Sequence, residues 1–169
     1  MRPQFSVFIA MSLDGFIARE NGSFDFLSIV DPVDESHGYD AFIQTVDTLV
    51  IGRGTYEVAL GFGAWPYPGK KVIVLTHQKR ESKYGETFFS GPVGELAKLD
   101  SKRVYVDGGN AISQFLAAGL IDDMTISVIP IVLGGGIRLF PGGEGEHRLK
   151  LEGHRSWSSG MVQVRYRLS

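Results

Sequence analysis

An α/β domain with a mainly parallel sheet and an antiparallel end is the fold class this sequence predicts, on three observations. Residues 5–11 (F-S-V-F-I-A-M) are nearly all apolar, as expected of a central strand covered on both faces. Strand-like and helix-like segments then alternate through the first two thirds of the chain, the pattern of a parallel sheet with crossover helices. The last third carries strand signals alone. It ends where Val162, Val164, Tyr166 and Leu168 alternate with Gln163, Arg165 and Arg167, which suits a sheet with one wetted face.

The elements follow in order. After the first strand, Asp14-Gly15 and Asn21-Gly22 are turn pairs. The stretch between them reads as a hairpin loop or as a mobile loop over a site. Residues 24–32 are aromatic and aliphatic, fit to line a pocket or to seat that loop. A helix is predicted to start at Asp34 to Ser36, with Tyr39, Phe42, Ile43 and Val46 as its buried stripe. Residues 48–51, 71–75 and 87–89 read as strands, and Gly91-Pro92 opens a short helix carrying Val93, Leu96 and Leu99. Residues 104–106 (V-Y-V) are another strand, stopped by Asp107-Gly108-Gly109. Asn110 is the expected N-cap of a helix with Ala111, Ile112, Phe115 and Leu116 on its apolar face, and Gly119 is the expected left-handed cap. Residues 124–133 are predicted as the longest β run, with Pro130 marking a bulge or an edge. Residues 149–151 and 161–168 close the chain as antiparallel strands.

The 169 residues are 43% hydrophobic and 21% charged, enough for one full core, so a single domain over residues 1–169 is expected. The net charge of −2 supplies no chain-wide positive field, so neither a nucleic acid nor a membrane is an expected partner. There is no cysteine, which excludes disulfides, thiolate metal sites and cysteine nucleophiles. No secretory h-region and no membrane-length apolar run is seen, and the expected setting is cytoplasmic. His37, His77, His147 and His154 lack the spacing of a zinc site, so no metal is expected. No G-x-S-x-G elbow is present. These exclusions leave a site that positions a cofactor bearing its own chemistry.

Two strand–glycine–helix junctions point to the same conclusion. One is Asp107-Gly108-Gly109-Asn110; the other is Gly52-Arg53-Gly54-Thr55. Each exposes backbone N–H groups at the positive end of a helix dipole, which suits a phosphate. Arg53 adds a bidentate donor and Thr55 a hydroxyl. Neither junction is the G-x-G-x-x-G fingerprint or a P-loop. Thr76, His77 and Lys79 follow a strand's carboxyl end, where open α/β sheets bind ligands.

These pieces resemble the dihydrofolate reductase-like superfamily, and within it the stand-alone relatives of the reductase domain of the bifunctional riboflavin-biosynthesis deaminase/reductase. The matching runs are S-L-D-G-F-I-A at 12–18, D-T-L-V-I-G-R-G-T-Y-E at 47–57, V-Y-V-D-G-G-N-A at 104–111 and I-D-D-M-T-I-S-V-I-P-I-V-L-G-G-G-I-R-L-F at 121–140. The resemblance implies a three-layer fold with a mainly parallel eight-stranded sheet, an antiparallel C-terminal strand and helices on both faces. It implies NADPH across the sheet's carboxyl edge. Gly52, Arg53, Gly54 and Thr55 would hold its phosphate and ribose region, and Thr76 with His77 or Lys79 the adenosine 2′-phosphate. Gly108 and Gly109, joined by a cis peptide, would hold the pyrophosphate, with Asn110 and Ala111 opening the helix behind them. Ala10 and the 12–18 loop, Gly15 included, would approach the nicotinamide.

The implied reaction is hydride transfer to an imine or carbonyl of a small heterocycle, most like 5-amino-6-(5-phosphoribosylamino)uracil reduction. The proton would come from water, Glu35 or Asp14. No match is evident for the acid that grips pterin in dihydrofolate reductases, which counts against folate reduction. A pterin reductase and a non-catalytic nucleotide-binding domain are the rival readings. A homodimer is expected, through residues 124–133 or the Trp65–Tyr67 tip. Gly109→Val is expected to weaken NADPH more than tenfold by blocking backbone approach.

Overall fold

The computed structural model describes residues 1–30 and 36–169. Its strands are β1 (Gln4–Ser12), β2 (Phe16–Ala18), β3 (Thr48–Gly52), β4 (Lys71–Leu75), β5 (Thr87–Phe89), β6 (Arg103–Asp107), β7 (Asp123–Ile129), β8 (Ile137–Arg138), β9 (Leu149–Ser156) and β10 (Val162–Leu168). Its α-helices are α1 (Tyr39–Gln44), α2 (Arg53–Leu60) and α3 (Gly109–Ala117), with 3-10 turns at Asp25–Val30 and Val93–Lys98.

Eight strands form one sheet in the order β5-β4-β3-β6-β1-β7-β10-β9. Pairing is parallel from β5 to β7, and β10 is antiparallel to both of its neighbours. The apolar β1 lies in the middle, as its composition requires: Phe5 and Val7 are fully buried. Because side chains alternate across a strand, β1 feeds two cores. Phe5, Val7, Ile9 and Met11 join α3, through Ile112 and Phe115, on one face. Phe8 packs with Phe42, Tyr56 and Tyr105 under α1 and α2 on the other. The sheet between two helical layers is the expected three-layer arrangement. β2 and β8 pair apart from it as a small strap.

Several expectations are corrected. The longest strand is β1, with nine residues against seven for β7. Pro130 ends β7 rather than bulging it, because its missing N–H stops the ladder one residue earlier. β7 is hydrogen-bonded by β1 on one side and β10 on the other, so it has no free edge for self-association. Nor is Trp65–Tyr67 a bare tip: Trp65 stacks on Tyr84 with centroids 4.5 Å apart, and Tyr67 is buried. The Gly108–Gly109 peptide is trans. The cap of α3 is Gly108 at φ 98 rather than Asn110. Gly119 has the expected positive φ of 69. α1 begins after Gly38 (φ 89), so its visible start is later than expected. Asp34 and Glu35 lie outside the described residues, and the proton-donor expectation for Glu35 with them.

Candidate active site

A cleft of about 1640 Å³ runs along the carboxyl ends of the parallel strands. Both glycine junctions open into it, and they touch one another. A Cβ on Gly108 would meet Thr55 Oγ1 at 2.7 Å. Together with the positive φ of Gly108, this makes glycine obligatory there. Gly109 is constrained differently: its Cβ would lie 2.5 Å from the Arg138 carbonyl oxygen of the strap. A valine at 109 would therefore displace the strap before it met any ligand, and it is a poor probe of binding. Gly52 and Gly54 have no atom within 4 Å of a would-be Cβ. Both line the cleft, so their bare backbone is free on the ligand side.

Of the residues expected at the cofactor, the cleft brings together Ala10, Gly52, Arg53, Gly54, Thr55, Thr76, His77, Gly108, Gly109 and Asn110. Three others, and the proton-donor candidate Asp14, lie outside its lining. Ala111 is fully buried and packs into the α3 core. Gly15 sits in the β1–β2 turn at φ 91, where its carbonyl accepts from Leu139 N at 2.9 Å. Lys79 is exposed beyond β4.

Asp14 is the fourth. Its carboxylate accepts from Ser12 Oγ at 2.6 Å and from the backbone N–H groups of Leu133 (3.1 Å) and Gly134 (2.8 Å). These donors, the Ser12 hydroxyl foremost, hold its pKa at about 2. A carboxyl so depressed carries no proton to give near neutral pH. Asp14 latches the loop after β7 to the end of β1 instead.

The acid that sequence reasoning missed is Asp107, the last residue of β6, which lines the cleft beside Gly108. Burial pushes its carboxyl up to about 6, opposed only by the Gly108 N–H. The sequence signal is an aspartate at the carboxyl end of an apolar strand, which by itself reads only as a strand stop. The buried hydroxyl of Tyr105 donates to the Phe8 carbonyl at 2.8 Å, and Tyr39 and Tyr67 also line the cleft. Ser127 of β7 faces the same space, its Oγ accepting from Gln163 Nε2 at 2.9 Å. Gln163 also donates to the His37 carbonyl at 2.9 Å, tying the segment before α1 to the sheet. No group of metal-ligating side chains is found among the described residues, and no helix among them is long and apolar enough to cross a membrane.

Comparison with known proteins agrees with this architecture. The uncharacterized Bacillus subtilis (strain 168) protein YwjB is 35% identical over 167 residues, 95% of each chain. A Shewanella sp. PV-4 protein named for riboflavin biosynthesis superposes with a TM-score of 0.88 at 34% identity, covering 100% of this chain and 99% of that one. Dihydrofolate reductase from Enterococcus faecalis, solved with NADP(H), shares the fold at a TM-score of 0.68 and 19% identity, over 98% and 96% of the two chains. The profile of the RibD C-terminal domain matches residues 68–163, and with the likeness to YwjB over nearly the whole length the chain belongs to the RibD C-terminal domain family.

Proposed function

We propose that this protein is an NADPH-dependent reductase of the riboflavin-pathway type, acting on a C=N or C=O group of a small heterocycle. The observation that carries the reading is the paired glycine junction at the carboxyl edge, with Gly52 and Gly54 bare toward the cleft. A dinucleotide fits these residues. The N-terminal amides of α2 and α3 suit its pyrophosphate. Arg53, Thr55, Thr76 and His77 suit the phosphate and ribose beyond it, and Ala10 leaves room for a flat ring on β1. NADPH supplies a hydride when bound.

The chain's own part is to hold the acceptor beside that ring and to provide a proton. As the hydride adds to the acceptor carbon, the electron pair of the double bond moves to nitrogen or oxygen and must be protonated. Asp107 suits that task, because a pKa of about 6 keeps a usable protonated fraction near neutral pH. An acid so placed also favours catalysis over a purely binding role. Titration of the protein with NADPH by calorimetry, followed by its oxidation at 340 nm with aminopyrimidine and pteridine acceptors, tests the reading. Saturable NADPH binding with turnover of an acceptor is the expected outcome. No heat with NADPH would contradict it.

A further inference from the structure

The outer end of the cleft differs chemically from the glycine junctions. Phe24, before the Asp25–Val30 turn, and Phe62, just past α2, meet edge to face with centroids 6.0 Å apart. Each leaves about two-fifths of its surface to water, at 38% and 43% exposure. Both line the cleft. α2 is eight residues long, so Phe62 stands about 12 Å from the Gly52–Arg53 junction at 1.5 Å per residue. The segment behind Phe24 is fixed, since Phe26 and Val30 pack on Ile129 and Met161.

The charge at this end is acidic. The lysine and arginine side chains lining the cleft, among the described residues, are Arg53 and Arg138. Both stand at the glycine junctions: Arg53 within one, Arg138 with its carbonyl against Gly109 and its guanidinium 5.0 Å from the Phe16 ring centroid. Beside Phe24 the cation is paired: Arg19 binds Asp25 at 2.7 Å. Asp25 lines the cleft, as do Glu20 and Glu57, whereas Arg19 does not. A phosphate here would meet carboxylates and phenyl rings without a cation to neutralise it.

We propose that the outer end of the cleft is a substrate subsite for an uncharged, ring-bearing or aliphatic arm laid against the exposed faces of Phe24 and Phe62, so that the substrate is an unphosphorylated heterocycle. This rests on the reductase reading for the inner end but is separable from it. An arm laid across the two rings removes their exposed surface from water, the standard source of affinity for apolar groups.

Two ligand pairs test it by equilibrium binding to the NADPH-saturated protein. In the first pair, 5-benzyl-2,4-diaminopyrimidine is expected to bind at least tenfold tighter than 2,4-diaminopyrimidine. Phe62→Ala and Phe24→Ala are expected to erase that difference while NADPH affinity stays within twofold. In the second pair, 5-amino-6-(5-phosphoribosylamino)uracil is expected to bind no tighter than its dephosphorylated nucleoside. Equal affinity for the two diaminopyrimidines, including no binding by either, overturns the proposal. So does a tenfold preference for the phosphorylated uracil. Failure of NADPH to bind would instead strike the reductase reading; the pairs are then measured without it, and the same outcomes decide.

Discussion

At the amino-terminal end of the sheet Arg103 divides its guanidinium among Ser6 Oγ (2.9 Å), Thr45 Oγ1 (2.8 Å) and Asp123 Oδ1 (3.3 Å), while Gln4 Nε2 donates to Asp123 Oδ2 at 2.6 Å. Nearby, Asp47 accepts from Lys102 N and Asp122 from Phe5 N, both at 2.8 Å. At the carboxyl end of the same strands the side chains of Arg53, His77, Asp107 and Asn110 make no side-chain hydrogen bond or ion pair among the described residues. The strands are shared, so the difference lies in what each end is for. Polar groups that satisfy one another add to the stability of the protein. Polar groups held open on a rigid frame are available to a ligand, which is why open α/β sheets bind at their carboxyl ends.

If that division holds, damage at the two ends should separate. The largest effect is expected at the amino end. Arg103→Ala leaves the Asp123 carboxylate without its cation and strips the Phe42 ring of a guanidinium 4.9 Å from its centroid. It is expected to lower unfolding free energy by about 3 kcal/mol. Urea titration measures this, and NADPH affinity in the folded fraction should hold within twofold.

At the carboxyl end the pattern should invert. Asp107→Asn removes the proposed proton donor without changing its size. It is expected to reduce turnover about 100-fold while NADPH binding persists, as single-turnover oxidation and calorimetry would show. The pH profile should carry the same signature, with turnover falling as pH rises through about 6 and Asp107 loses its proton.

The same carboxyl also sharpens the comparison through stability. Its folded pKa is raised by burial from 3.8 to about 6, so the folded state holds the proton more tightly than the unfolded chain. The contribution to stability is therefore fully present below pH 4 and is lost as pH rises through 6. Asp107→Asn should exceed the wild type by about 3 kcal/mol at pH 8 and by less than about 1 kcal/mol at pH 4. Thermal melts at the two pH values check this. An equal gain at both would mean that burial of the charge is not the cause.

Much of the fold was legible because its signals are local. The apolar run of β1, the Lys71–Leu75 and Thr87–Phe89 strands and the two glycine junctions fall where the sequence puts them. What escaped depends on the third dimension. Asn110 looks like a cap, but Gly108, turned to φ 98 over Thr55, takes that place. Asp14 looks catalytic in a flexible turn. It is satisfied by Leu133 and Gly134, some 120 residues away, a contact that no spacing rule reveals. Asp107 looked like punctuation, because an aspartate before two glycines ends a strand whether or not a cleft lies beyond it. The pairing of Phe24 with Phe62 joins two segments with no sequence relation at all.

The central claim is that bare backbone at the carboxyl-edge junctions grips a dinucleotide, and Gly54→Ala tests it most directly. Alanine is favoured over glycine within a helix by about 1 kcal/mol, and its methyl would meet no atom within 4 Å on a residue that lines the cleft. Calorimetric titration with NADPH should therefore show at least a tenfold loss of affinity in a protein that melts no lower than the wild type. Unchanged affinity in that folded variant would contradict the account.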